Sequence, residues 1–255
     1  MQRVRNIGLA LIVPAVVLAA WVAATASGGV PASILPSPAT VAGTLGAYIQ
    51  DGTLAGDLGI SLLRVVEGYA VAVVLGIVFG AVMGMSPLAE RILLPTFTTI
   101  RQIPIMAWIP LIILWAGIGE ESKVVIIALA AYFPIMANTL AGFASTPREY
   151  IEVARLYRLG PWKTFRRVYL PHALPHIQTG LKLGLGVSWM VVVAAELIAA
   201  TSGVGYRLSY ARSLMQSDVV IAYIVMVGLV GIVMDKAVSV VFDLLTPWER
   251  KEGRA

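Results

Sequence analysis

Residues 60–85 read ISLLRVVEGYAVAVVLGIVFGAVMGM, a run of 26 whose only charges are Arg64 and Glu67. About 20 apolar residues suffice to carry a helix across a hydrocarbon layer roughly 30 Å thick. The run shows no strong two-residue alternation, so it reads as a spanning helix whose backbone groups are satisfied internally. Five more runs of this kind follow outward from it: Ile7 to Ala24, Ile92 to Trp115, Val124 to Phe143, Leu181 to Ala200 and Val219 to Leu244. Pro or Gly interrupts several, which a spanning helix tolerates where neighbouring helices or a wet cavity satisfy the freed groups. The expectation is an all-α, polytopic membrane helical bundle with six transmembrane helices. It forms one domain over 1–255, with its first helix over 7–24 and its core over 60–245.

Composition agrees. Hydrophobic residues make up 58% of the chain and charged residues 13%, more apolar area than a water-soluble surface hides. There is no cysteine, which excludes disulfides, thiolate metal sites and a cysteine nucleophile. The net charge of +5 suggests nucleic acid in a soluble protein, but in a membrane protein it reports topology. With the amino terminus inside, the inner segments hold Arg3, Arg5, Arg91, Arg148, Arg155, Arg158, Lys163, Arg166, Arg167, Arg250, Lys251 and Arg254. The outer loops hold Arg207 and Arg212, with Lys123 at a boundary. Both termini are therefore expected in the cytoplasm, and nucleic acid is not an expected partner.

The first run, with its basic start and Ala24-Thr25-Ala26, also has the form of a signal peptide. Its length favours an uncleaved helix; cleavage would leave five. Ser27 to Gly59, containing Pro31, Pro36 and Pro38, is expected outside with a short surface helix at Val41 to Gln50. The largest inner segment, Ala144 to Gln178, is where a soluble partner would be met.

From Pro147 that segment reads REYIEVARLYRLG. Ile151, Ala154, Leu156 and Leu159 fall near helical spacing, and Glu149 and Glu152 favour a helix start. Gly160 suits a left-handed cap and Pro161 the first turn of a second, basic helix over Trp162 to Tyr169, stopped by Leu170-Pro171. The expectation is a helix–turn–helix bracket. A plain solvated basic loop is the alternative, but it explains neither the paired helices nor the Leu-Pro.

Here the chain resembles the cytoplasmic EAA loop of bacterial ABC importer permeases. The pattern is met by Glu152-Val153-Ala154, Phe165, Leu170-Pro171 and Pro175. The family's Gly falls at Arg158, with Gly160 expected to take over the turn. The resemblance covers nearly the whole chain and points to the branch importing nitrate, alkanesulfonates and taurine. It is carried by Leu35-Pro36-Ser37-Pro38, Ser61-Leu62-Leu63-Arg64-Val65 with Gly68, Arg101-Gln102-Ile103-Pro104, Ala107-Trp108-Ile109-Pro110-Leu111 and Trp115-Ala116-Gly117-Ile118-Gly119. Phe133-Pro134 with Asn138-Thr139, Ala195-Glu196-Leu197-Ile198 and Thr246-Pro247-Trp248 continue it.

The resemblance implies a type I importer permease in the bacterial inner membrane. It implies a homodimer, two cytoplasmic ATPase subunits that bind ATP and Mg, and a periplasmic or lipid-anchored solute-binding protein. It places the ATPase-coupling interface at Glu149, Glu152, Ala154, Arg155, Arg158, Leu159, Gly160 and Phe165, with a small, anionic solute. Related branches carry pyrimidine thiamine precursors or riboflavin. No lysine sits in a phosphate-cradling Gly-rich loop, so this subunit is not expected to be an enzyme or to hold a cofactor.

Ionisable groups at membrane depth are functional candidates. Arg101 and Gln102, ahead of Pro104 where the helix is expected to break, are candidates for the substrate pathway, as are Asn138, Ser188 and Glu196; helix packing is the alternative for each. Arg64 and Glu67, three apart, read as a structural pair, and Asp235 and Lys236 as residues that snorkel or pair. Gly76, Gly80 and Gly84, and Gly180 with Gly184, read as close-packing stripes. His172 and His176 lack a third ligand, so no metal is expected. An intramembrane hydrolase would need a buried nucleophile and base, yet both histidines fall outside the spans and the sequence holds no Gly-x-Ser-x-Gly elbow. A gradient-driven carrier usually shows two related halves with paired broken helices, and this sequence shows none.

Overall fold

The computed structural model describes residues 2–245, with side chains at 9 and over 12–242. Its regular structure is helical: α1 Gln2–Ala26, α2 Pro38–Gln50, α3 Thr53–Met85, α4 Pro87–Arg101, α5 Ile105–Ala116, α6 Glu120–Ala144, α7 Arg148–Leu156, α8 Pro161–Thr164, a π-helical turn Phe165–Tyr169, α9 Leu170–Ala199, α10 Val204–Ser213 and α11 Ser217–Leu245. The Thr246-Pro247-Trp248 motif and the basic Arg250, Lys251 and Arg254 lie outside the described residues.

Among the described residues four helical stretches are long and apolar enough to cross a membrane: Thr53–Met85, Glu120–Ala144, Pro161–Ala199 and Ser217–Phe242. The expected single span over Ile92 to Trp115 is corrected to two helices, α4 and α5, bent by 96°. Pro104 is the cause, because it holds Ile103 out of helical geometry and lacks a donor. The chain tightens into the elbow through Gln102 N–H to Thr99 O (3.2 Å) and Ile103 N–H to Ile100 O (3.1 Å). If the bent pair is one span, the described spans number five. Helix α1, apolar over Ile12–Ala26, stands off the bundle with Val13, Val16 and Val17 exposed. Trp21 ties it down by donating Nε1–H to Pro36 O at 3.0 Å.

The core is the packing of α6 between α3 and α9. Small residues Gly68, Ala72, Gly76, Gly80 and Gly84 recur every fourth position along α3, so they form one stripe. A Cβ at Gly68 would stand 2.7 Å from Ile127, at Gly76 2.7 Å from Ile135, at Gly80 2.6 Å from Thr139 and at Gly84 2.5 Å from Phe143. Both helices advance together along that series, so α3 and α6 run parallel in near backbone contact. Gly180 and Gly184 do the same for α9, meeting Asn138 and Ile135 on an antiparallel course. The close-packing stripes read from the sequence are therefore the main joints of the bundle.

Two boundaries differ from expectation. Leu170-Pro171 does not stop the second bracket helix; α8, the π turn and α9 form one continuous rod of 39 residues. The wide π turn gives room for the Pro171 ring, which in a regular helix collides with the carbonyl four residues back. Helix α10, absent from the sequence reading, closes the far end over α3 and α11, with Val204, Ala211, Val219 and Tyr223 in its core.

Candidate functional site

At the bracket end, α7 is a short amphipathic helix whose one buried residue is Ala154. Its carboxyl end is a Schellman cap: Leu159 N–H reaches Ala154 O (3.0 Å) and Arg158 N–H reaches Arg155 O (2.9 Å). The left-handed residue this cap requires is Arg158, at φ 53, which corrects the assignment of that role to Gly160. Gly160 instead has φ −67 and ψ 162 and caps α8. Arg158, where the family pattern has Gly, thus adopts a left-handed conformation at a cost of about 1–2 kcal/mol.

Aromatic stacking fastens the bracket to the spans. The Phe165 ring lies 5.8 Å from that of Phe143 at 5°, and 5.6 Å from that of Trp162 at 21°. Phe143 ends α6 and Phe165 leads into α9, so the bracket is joined to both spans of the core. Beneath it opens a cleft of about 620 Å³ lined by Met85, Ile151, Arg155, Leu159, Trp162 and Phe165 among others. The outward surface is apolar and aromatic, with Leu156 82%, Tyr157 78% and Trp162 70% exposed. Glu149, Glu152, Arg155 and Arg158 are exposed around it.

The pathway candidates do not share one place. Arg101 and Gln102 are exposed at the elbow, and Arg101 lines a cleft of about 330 Å³ with Pro104, Trp108, Phe133, Pro134 and Val187. Asn138 donates its amide to Pro134 O at 2.8 Å. Ser188 donates to Gly184 O at 2.9 Å, so both side chains bond their own helix. Glu196 is buried at the far end, 1% exposed.

Around Glu196 lies a network the sequence reading missed. Arg64, 2% exposed, donates Nη1–H to Glu196 Oε1 at 2.7 Å, and Nε–H and Nη2–H to Glu120 at 2.5 and 2.7 Å. The same guanidinium donates to Ser202 O (2.9 Å) and Oγ (3.0 Å). Ser61 donates to Glu196 at 2.8 Å while accepting Val204 N–H, and Gly205 N–H donates to Glu196 Oε2. The expected Arg64–Glu67 pair is therefore corrected: Glu67 is exposed and Arg64 turns to carboxylates on α6 and α9. A local pair is the weaker choice, because a buried guanidinium needs its donors satisfied where water is absent. Gly203, at φ 100, lets the loop pass; a Cβ there would sit 2.5 Å from Glu196 Oε1.

A second cluster fixes the other side of α10. Arg207 donates to Asp57 Oδ2 at 2.9 Å and Tyr223 O–H to the same oxygen at 2.7 Å. Burial works against the Arg207 charge, but the hydrogen bond and charge of Asp57 outweigh it and hold the guanidinium above its ordinary pKa. The one local sign of both clusters is that Asp57, Arg64, Glu120, Glu196 and Arg207 stand in or beside apolar runs. Their pairing is tertiary, across 56 residues for Arg64 with Glu120, 132 for Arg64 with Glu196 and 150 for Arg207 with Asp57.

Against known proteins, a family model described as binding-protein-dependent transport system inner membrane component matches residues 72–251. The taurine transport system permease protein TauC of Escherichia coli is 38% identical over 218 residues, 86% of this chain and 78% of its own. The nitrate import permease protein NrtB of Synechocystis is 34% identical over 248 residues, 93% of this chain and 88% of its own. Among solved structures, a chain of the MetNI methionine ABC transporter in an inward-facing conformation shares the fold, with a TM-score of 0.56 at 20% identity over 70% of this chain and 92% of its own. Spans, parallel core pair and family match agree: the chain belongs to the binding-protein-dependent transport system inner membrane component family, the permeases of ABC transporters.

Proposed function

We propose that two copies of this chain form the translocation path of an ATP-driven importer for a small anionic solute of the sulfonate or nitrate kind. The observation that carries the reading is the bracket, a short apolar-faced helix fastened by Phe165 and Phe143 to the two spans that pack at the centre of the bundle. A push on α7 is therefore transmitted to α6 and α9 together, which is what a rigid coupling element needs. Glu149, Glu152, Arg155 and Arg158 around Leu156 and Trp162 supply the polar rim of a partner surface whose centre is apolar. The partner is an ATPase subunit in the cytoplasm, and ATP and Mg belong to it.

Both termini then lie inside, consistent with the basic residues of the bracket. A solute-binding protein delivers solute at the α10 end. Both named relatives carry solutes with an anionic group, and Arg101 at the elbow cleft is the cation assigned to meet it, with Gln102 beside it. The exposed apolar face of α1 is available to the second copy. Copurification tests the assembly: recovery of an ATPase in equal number with the permease supports it. Solute uptake by the lone chain in liposomes, without nucleotide, would overturn it.

A further inference from the structure

Between α9 and α11 a narrow cleft of about 200 Å³ is lined by Lys182, Gly186, Trp189, Met190, Gly231 and Asp235 among others. That is smaller than pockets that enclose a small-molecule ligand, typically about 300–1,000 Å³, and suits a single chain of methylenes. Two glycines open it. A Cβ at Gly186 would meet nothing within 4 Å, and one at Gly231 would lie 3.4 Å from the Trp189 ring. The ring is held as a wall because Trp189 donates Nε1–H to Val227 O at 3.0 Å.

The charges sit at one end of this apolar slot. Lys182 lies 17 residues before the end of α9 and Asp235 lies 18 residues after the start of α11. At 1.5 Å per residue both are about 26 Å from the far end of the bundle. That is nearly one hydrocarbon thickness, so both stand at headgroup depth on the bracket side. Among the described residues no ion pair joins Lys182 to Asp235, and neither neutralises the other. Lys236, next in sequence, does not line the cleft.

We infer that this cleft binds a phospholipid with a primary-amine headgroup. The phosphate accepts from the Lys182 ammonium, the lipid ammonium donates to Asp235, and one acyl chain follows Gly186, Trp189 and Gly231 into the slot. A cation alone would favour an anionic lipid. The acid beside it, at the same depth, favours the zwitterion whose amine has protons to donate, over one capped by methyl groups.

The test uses the full chain, purified with whatever subunits accompany it, delipidated and incubated with phosphatidylethanolamine, phosphatidylcholine or phosphatidylglycerol, with retained lipid read by native mass spectrometry. The wild type is expected to retain phosphatidylethanolamine about tenfold better than phosphatidylcholine, the discrimination one hydrogen bond to a charged group provides. Asp235→Asn is expected to erase that preference, Lys182→Gln to weaken both lipids, and Gly231→Leu to block the slot. Equal retention of the two lipids by the wild type, or preference for phosphatidylglycerol, overturns the inference. So does efficient disulfide linking of two Met190→Cys chains across this face, which would show a second copy seated there instead.

Discussion

Arg64 of α3 and Glu196 of α9, 132 positions apart in sequence, meet at 2.7 Å in a pair almost sealed from solvent. With Glu120 they join three spans at one end of the bundle and hold the loop that leads into α10. Replacing Glu196 with Ala leaves a buried guanidinium short of a partner, and the expected cost is about 3–5 kcal/mol. The thermal midpoint of the purified chain reads it. An Arg64→Met, Glu196→Leu double variant should recover much of that loss, because the orphaned charge is gone. Equal midpoints for wild type and Glu196→Ala would show that the pair is not formed.

Glycine packing along α3 makes a second prediction with its own control. Gly80→Ala places a methyl 2.6 Å from Thr139 and should destabilise by about 1–3 kcal/mol through overpacking. Gly46→Ala in α2 meets nothing within 4 Å and should stabilise, by up to about 1 kcal/mol from helix propensity alone. Opposite signs in the two midpoints are the expected result.

The cap at Arg158 gives a third. Arg158→Gly removes the left-handed penalty at φ 53 and should stabilise the bracket by about 1 kcal/mol. Arg158→Val should do the reverse, since branching at Cβ crowds that conformation. Limited proteolysis within 148–164 measures both, with slower cleavage for Gly and faster for Val.

Coupling makes the fourth. Glu152→Lys reverses a charge on the bracket's exposed rim and leaves the bundle untouched. In reconstituted complexes it should lower uptake per ATP hydrolysed about tenfold or more while membrane insertion stays normal. Unchanged coupling would remove this face from the proposed interface.

Much of the bundle was legible because crossing lipid requires long apolar runs, and those runs stand out in any reading of residues 60–85 or 124–143. The glycine stripes were legible for the same reason, as spacing on one helix. The elbow at Pro104 was foreseen as a break but not as a 96° turn, which depends on how α5 packs on Ile126 and Val191. Arg158 shows the limit of residue preference: Gly160 had the better intrinsic claim to the left-handed cap, but the register of α7, set by burying Ala154, places position 158 there. Arg64 was paired with Glu67 on local spacing, whereas its real partners lie on other helices. Of the site residues, the bracket was readable as a motif, and the far-end clusters were not, since no local pattern encodes contacts such as Asp57 with Arg207.

The proposal that the bracket receives an ATPase is tested most directly by a single thiol at its outermost residue, in a chain that has no cysteine of its own. Leu156→Cys, expressed with its partner subunits in membranes, should form a crosslink to the ATPase and stay unlabelled by an impermeant thiol reagent applied from outside. Labelling from outside, or no crosslink to an ATPase that otherwise copurifies, would contradict the account.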